Sequence, residues 1–176
     1  MDQAKSIIGG LAVLIIVFGG LLWFANRKTS SDESAEVAQS TLPASAGDLA
    51  SEERSYDFGT ISMSAGKVSH QFTVKNTGLE PVRVGKVYTS CMCTSASVTD
   101  AGGKRYGEFG MQGHGGMSAS TDIEVGAGQV VTVEVVFDPA AHGPSGVGLA
   151  QRTVYLETNS QKSPKLELGL QARVTR

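Results

Sequence analysis

Cys91 and Cys93 are the only cysteines of the chain and stand one residue apart. Two thiols so placed cannot form the framework that staples small secreted domains, which needs bridges distributed along the chain. In an extended segment residues i and i+2 project to the same side, so the two sulfurs meet and Met92 points away. Three roles fit such a pair: small apolar side chains closing a strand end, a soft-metal site, or thiol redox exchange. A disulfide across Cys-Met-Cys needs Cα atoms within about 6.8 Å, near the limit for an extended tripeptide, and would be strained and readily reduced.

More soft donors follow in Met111-Gln112-Gly113-His114-Gly115-Gly116-Met117. Thiolate, thioether and imidazole together suit Cu(I). A glycine-rich stretch folds its middle back over its start at little steric cost. The expected Cu(I) ligands are therefore Cys91 and Cys93, assisted by His114 and by Met111 or Met117, with His142 as a further candidate. Methionines in loops also serve as adaptable apolar lids, and His142, close after Asp138-Pro139, equally suits a hydrogen bond to its own turn. His70 falls on the inward side of a strand and reads as a satisfied core residue.

Other chemistries find no support. No Gly-x-Ser-x-Gly nucleophile motif exists, no phosphate-binding glycine loop opens a helix, and no carboxylate cluster suits a hard cation. An enzyme is not expected. The formal charge is only -2 and the basic residues are scattered singly, so no cationic stripe tracks a phosphate backbone and nucleic acid is not an expected partner.

The elements that must position these residues read as strands. Val68, Phe72 and Val74 alternate with Ser69, Gln71, Thr73 and Lys75, and Asn76-Thr77-Gly78 supplies a turn. Val82 and Val84 resume the inward face, with Gly85 marking a bulge before Val87. Val131, Val133, Val135 and Phe137 share one face of a strand that stops at Asp138-Pro139. Val154 and Leu156 follow, and then the longest alternation, Leu166, Leu168, Leu170, Ala172 and Val174. No amphipathic helical window separates them, which excludes βαβ units and predicts an all-β, antiparallel, immunoglobulin-like β-sandwich. The stretch 94–122 reads as one long loop.

A charge-free run from Ile7 to Phe24 would span about 27 Å as a helix, matching a bilayer core. Trp23-Phe24-Ala25-Asn26-Arg27 is unlike a signal-peptide cleavage site, so the run reads as an uncleaved anchor. The organisation expected is a short tail over 1–6, a single transmembrane helix over 7–25, a flexible polar linker over 26–54 and the sandwich over 55–176. Lys5 before the helix and Arg27-Lys28 after it leave the positive-inside rule without a vote on orientation.

Tyr56-Asp57-Phe58-Gly59-Thr60-Ile61, Phe72-Thr73-Val74-Lys75-Asn76-Thr77-Gly78, Ser90-Cys91-Met92-Cys93-Thr94 and Val133-Glu134-Val135-Val136-Phe137-Asp138-Pro139 together resemble the bacterial domain-of-unknown-function family fifteen seventy-three. The resemblance runs from Tyr56 to Val174. It departs at Met92, where the family has glycine between the cysteines, and at Ala127-Gly128, where it has Pro-Gly. What it implies is an immunoglobulin-like domain, usually exported, in a membrane-anchored subgroup that carries the Gly/Met/His insert. The β-domain is accordingly expected on the extracytoplasmic side of a cell membrane. There it would act as a binding module with Cu(I), as a metal-free module for an unidentified protein partner, or as a thiol redox protein.

Overall fold

A computed structural model describes residues 42–114 and 118–176. The expected tail, the transmembrane helix over 7–25, most of the linker and Met117 lie outside these residues. Among the described residues no helix is long and apolar enough to cross a membrane.

The described chain forms β1 (Leu49–Ala50), β2 (Ser55–Ser62), β3 (Val68–Asn76), β4 (Val82–Thr89), β5 (Thr94–Thr99), β6 (Arg105–Phe109), β7 (Ser120–Val125), β8 (Val130–Phe137), β9 (Gly148–Thr158) and β10 (Lys165–Thr175). They assemble into two five-stranded sheets, ordered β1-β3-β8-β5-β6 and β2-β10-β9-β4-β7. The inward faces are those the alternation predicts: Phe72, Val74, Val82, Val84, Val87, Val131, Val133, Val135, Phe137, Val154, Leu156, Leu166, Leu168, Leu170, Ala172 and Val174 are all buried in one core. At about 1.5–3 kcal/mol for each fully buried aliphatic or phenyl side chain, this interface is the main source of the fold's stability. The result is an all-β sandwich of two largely antiparallel sheets.

Gly85 is the bulge expected of it, since the register of β4 against both neighbours shifts between Val84 and Lys86. Ala127-Gly128 is a turn with Gly128 at φ +72°, closed by the Gln129 N–H donating to the Gly126 carbonyl at 3.0 Å. Gly78 acts differently from expectation. Its role is close approach, because a Cβ there would stand 2.6 Å from Gly47 Cα. His70 is half-buried, its ring 2.8 Å from a Glu53 carboxylate oxygen and stacked on Tyr56 at 3.7 Å.

Three expectations are corrected. The stretch 94–122 is not one loop, for it contains β5, β6 and the start of β7. Its strands escape the alternation test because β5 turns Thr94, Ala96 and Val98 inward and also buries Ser97 on its opposite face, so small or hydroxylated residues blur the pattern. Asp100 then makes the β5-β6 turn, accepting from the Gly102 and Lys104 N–H groups at 2.9 Å.

The sandwich also begins upstream of Ser55. Leu49 is buried, β1 pairs with the end of β3, and the Ser45 hydroxyl donates to the Pro81 carbonyl at 2.7 Å. A single apolar residue in a Ser- and acid-rich context carries no periodicity, so nothing in the sequence marks it. Finally, the pairing is not wholly antiparallel: β2 lies parallel to β10. The strands between them absorb the connection, so no crossover helix is required.

Topology gathers three connections at one end of the sandwich. The β4-β5, β6-β7 and β8-β9 links each pass from one sheet to the other, and the antiparallel pairings β4·β7, β4·β9, β5·β6 and β5·β8 bring these links side by side.

Candidate metal centre

The β4-β5 link is short. The Thr94 N–H donates to the Cys91 carbonyl at 3.1 Å, making Cys91–Thr94 a tight turn. The Thr89 hydroxyl, buried, lies 2.9 Å from the Cys91 carbonyl and 3.0 Å from that of Thr94, and so braces the turn from within. The cysteines therefore do not share a side of an extended strand, as the spacing alone suggests. A folded turn brings them together, with the Cys93 N–H donating to Cys91 Sγ at 3.4 Å. Cys93 is buried, Cys91 is half-buried, and both are free thiols. Met92 points outward and is 60% exposed, as expected.

The β8-β9 link is tied to the same turn by the Asp138 N–H, which donates to the Cys93 carbonyl at 2.9 Å. Asp138 then folds its own segment, its carboxylate accepting from the Ala140 N–H at 2.9 Å. Gly143, at φ +56°, reverses the chain immediately after His142. These contacts bring His142 Nε2 to 3.2 Å from Cys91 Sγ. One ligand atom each from Cys91, Cys93 and His142 falls within 4.8 Å of the others.

His114 does not join them. It is exposed in the β6-β7 link, where its N–H donates to the Met111 carbonyl at 3.2 Å. Met111 forms an isolated bridge with Thr89 beside the cysteine turn, and Met117 lies outside the described residues. The histidine that sequence order favoured, inside the insert that follows the cysteines, thus gives way to one more distant in sequence that sheet topology returns to them.

Arg152 was not anticipated. Its Nε–H donates to Cys93 Sγ at 3.0 Å, while an NH1 donor anchors it to the Gln151 carbonyl at 2.7 Å. The signal lay in parity: Ala150, Arg152, Val154 and Leu156 occupy one face of β9, and the other three are buried. A guanidinium on a core-facing position requires an anionic or strongly accepting partner.

The thiols are electrostatically unequal. Burial opposes ionisation of Cys91, but hydrogen bonds from the Cys93 side chain and backbone and from His142, with the charge of Arg152, outweigh it and lower the pKa from 9.0 to about 7. Burial pushes the Cys93 thiol up, and the neighbouring Cys91 adds to this against the opposing pull of Arg152 and Thr94. Cys91 is therefore the thiol of the pair that ionises first as pH rises.

Residues 49–105, which include both cysteines, match the model of the family described as "Protein of unknown function (DUF1573)". His142 and Arg152 lie beyond the matched segment. No curated protein matches the chain. Among solved structures, a protein of unknown function from Porphyromonas gingivalis W83 is similar with TM-score 0.52 and 14% identity, over 77% of this chain. The present chain spans 50% of that protein's length. PapD-like domain 7 of human CEP192 is similar with TM-score 0.43 and 14% identity, over 79% of this chain and 92% of that domain.

Proposed function

We propose that this protein is a membrane-tethered, extracytoplasmic binding module, not an enzyme, that holds one Cu(I) between Cys91, Cys93 and His142. The observation that carries the reading is the convergence of two thiols and an imidazole within 4.8 Å, delivered by two separate sheet-crossing links. Sulfur and imidazole donors without a carboxylate select a soft ion. Three protein ligands complete a trigonal Cu(I) site, whereas a structural zinc site takes four. A rigid sandwich end suits such a site, because ligands on strand-terminal turns are held before the metal arrives.

Titration of the reduced full-length chain in detergent, with a chromophoric chelator competing for Cu(I), is expected to give one saturable equivalent per chain and a sulfur-to-copper charge-transfer band. Absence of a saturable site overturns the metal reading and leaves an interaction module.

The tether rests on the charge-free run from Ile7 to Phe24, and the extracytoplasmic placement on the family resemblance. A membrane-impermeant maleimide applied to spheroplasts is expected to label Cys91. The lowered thiol pKa gives a rate that is nearly full above pH about 7 and falls roughly tenfold per unit below it. Labelling that appears only after lysis overturns the placement.

A further inference from the structure

The ligands of the proposed site account for Cys91, Cys93 and His142 but not for Arg152, a fixed cation 3.0 Å from one of the ligand sulfurs. A permanent positive charge beside a cation site looks counterproductive, since it repels every metal ion. Its consequence depends on the valence of the ion. Two ligating thiolates and one guanidinium leave a net charge of -1, so a monovalent ion brings the half-buried cluster to neutrality and a divalent ion leaves it at +1. Uncompensated charge in such a setting is costly.

We propose that Arg152 is the specificity-determining residue of this centre, making it select monovalent Cu(I) over divalent ions such as Zn(II). The inference rests on the Cu(I) reading given above. Three features place the guanidinium for this role. Its Nε–H is directed at Cys93 Sγ, its NH1 is pinned by the Gln151 carbonyl at 2.7 Å, and its backbone is locked in β9 opposite Leu170 of β10. The charge therefore cannot swing away freely when an ion enters. Arginine keeps its proton at any accessible pH, so the effect does not depend on titration.

The two metals separate this role from a simple effect on the thiols. Removing the guanidinium alters thiolate availability, but both ions displace the same protons from the same sulfurs, and that contribution cancels in the ratio of their affinities. What does not cancel is the extra unit of repulsion felt by the divalent ion. With the guanidinium on the order of 5 Å from the ion and an effective dielectric constant of about 20 or more, that unit corresponds, after screening, to roughly a tenfold change or larger.

The test uses the reduced full-length chain, with Cu(I) alone and Zn(II) alone as probes in separate chelator competitions. Arg152→Gln and Arg152→Met are both expected to lower the Cu(I)-to-Zn(II) affinity ratio about tenfold or more, whereas Arg152→Lys, which keeps the charge, stays near the wild-type ratio. The two neutral variants differ in polarity, so a folding defect in one leaves the other to report. Retention of the wild-type ratio in a folded neutral variant overturns the assignment, as does a Lys variant that behaves like them. A wild-type chain with no Cu(I) site fails at an earlier step and removes the proposed function itself.

Discussion

Replacing Cys91 and Cys93 together by serine is expected to remove the Cu(I) site altogether, and either single replacement to weaken it by roughly a thousandfold, on the order of 4 kcal/mol. A serine hydroxyl is a hard donor that stays protonated at neutral pH, so it substitutes for neither the softness nor the charge of a thiolate. The two positions differ in what else they disturb. Cys93 is 3% exposed and holds the Arg152 guanidinium, so Cys93→Ser also alters the charge balance of the cluster. Cys91 is half-buried and faces His142 at 3.2 Å, so Cys91→Ser is the cleaner probe of ligation. His142→Ala, which removes one neutral ligand, is expected to cost about 10–100-fold. His114→Ala leaves affinity at the wild-type level, because His114 is not among the grouped ligands. The measurement is the same chelator competition, read beside thermal unfolding. Wild-type affinity in the double serine variant, or a larger loss at His114 than at His142, refutes the ligand assignment.

Asn76→Ala is expected to destabilise the sandwich by roughly 3–5 kcal/mol, a large share of the 5–15 kcal/mol that such a domain possesses. Asn76 is fully buried. Its Nδ2 donates to the Glu80 carbonyl at 2.8 Å and the Val125 carbonyl at 2.9 Å. Its Oδ1 accepts from the Asp48 N–H at 3.2 Å and the Gly78 N–H at 3.0 Å. One side chain thus joins the segment before β1, the β3-β4 turn and the end of β7. Alanine strands four backbone groups at once, each costing about 1 kcal/mol when left without a partner. Asn76→Asp fills the same space and keeps the two acceptor bonds, but turns both donor positions toward carbonyl oxygens. It should destabilise at least as much, which separates lost hydrogen bonding from lost volume. Denaturant unfolding of the full chain checks both variants. A loss below about 1 kcal/mol for either refutes the network's role. Cu(I) stoichiometry of the folded fraction should be unchanged, since Asn76 ends β3 and the metal ligands lie on links at the opposite end of the strands.

What the sequence determined by itself was the character of the layers. A period of two in Val131-Val133-Val135-Phe137 and in Leu166 through Val174 leaves each strand one apolar face, and only a second sheet can bury it. The one-residue spacing of Cys91 and Cys93 likewise placed two thiols in one short segment, although the turn that directs them together belongs to the fold. Local chemistry of this kind is legible because each residue carries its own preference and its neighbours are fixed by covalent connection.

The rest depended on distance. β5 turns a threonine and an alanine inward where hydropathy looks for valine, the Thr94 hydroxyl meeting Cys93 Sγ at 3.7 Å, while Ser97 on its other face is buried by donating to the Glu134 carboxylate at 3.5 Å. Leu49 became core only because β3 offered it an edge. His142 displaced His114 as the expected partner of the cysteines although it is farther along the chain, since the β8-β9 link crosses the sandwich at the same end as the cysteine turn and the Asp138 N–H fastens the two together. Arg152 carries a signal in its core-facing parity that the reading of the sequence passed over, and only the packing of β9 against that turn shows which sulfur it serves. Strand identity follows from side chains read in series, while a site assembled from several strand ends follows from which ends the sheet topology makes neighbours.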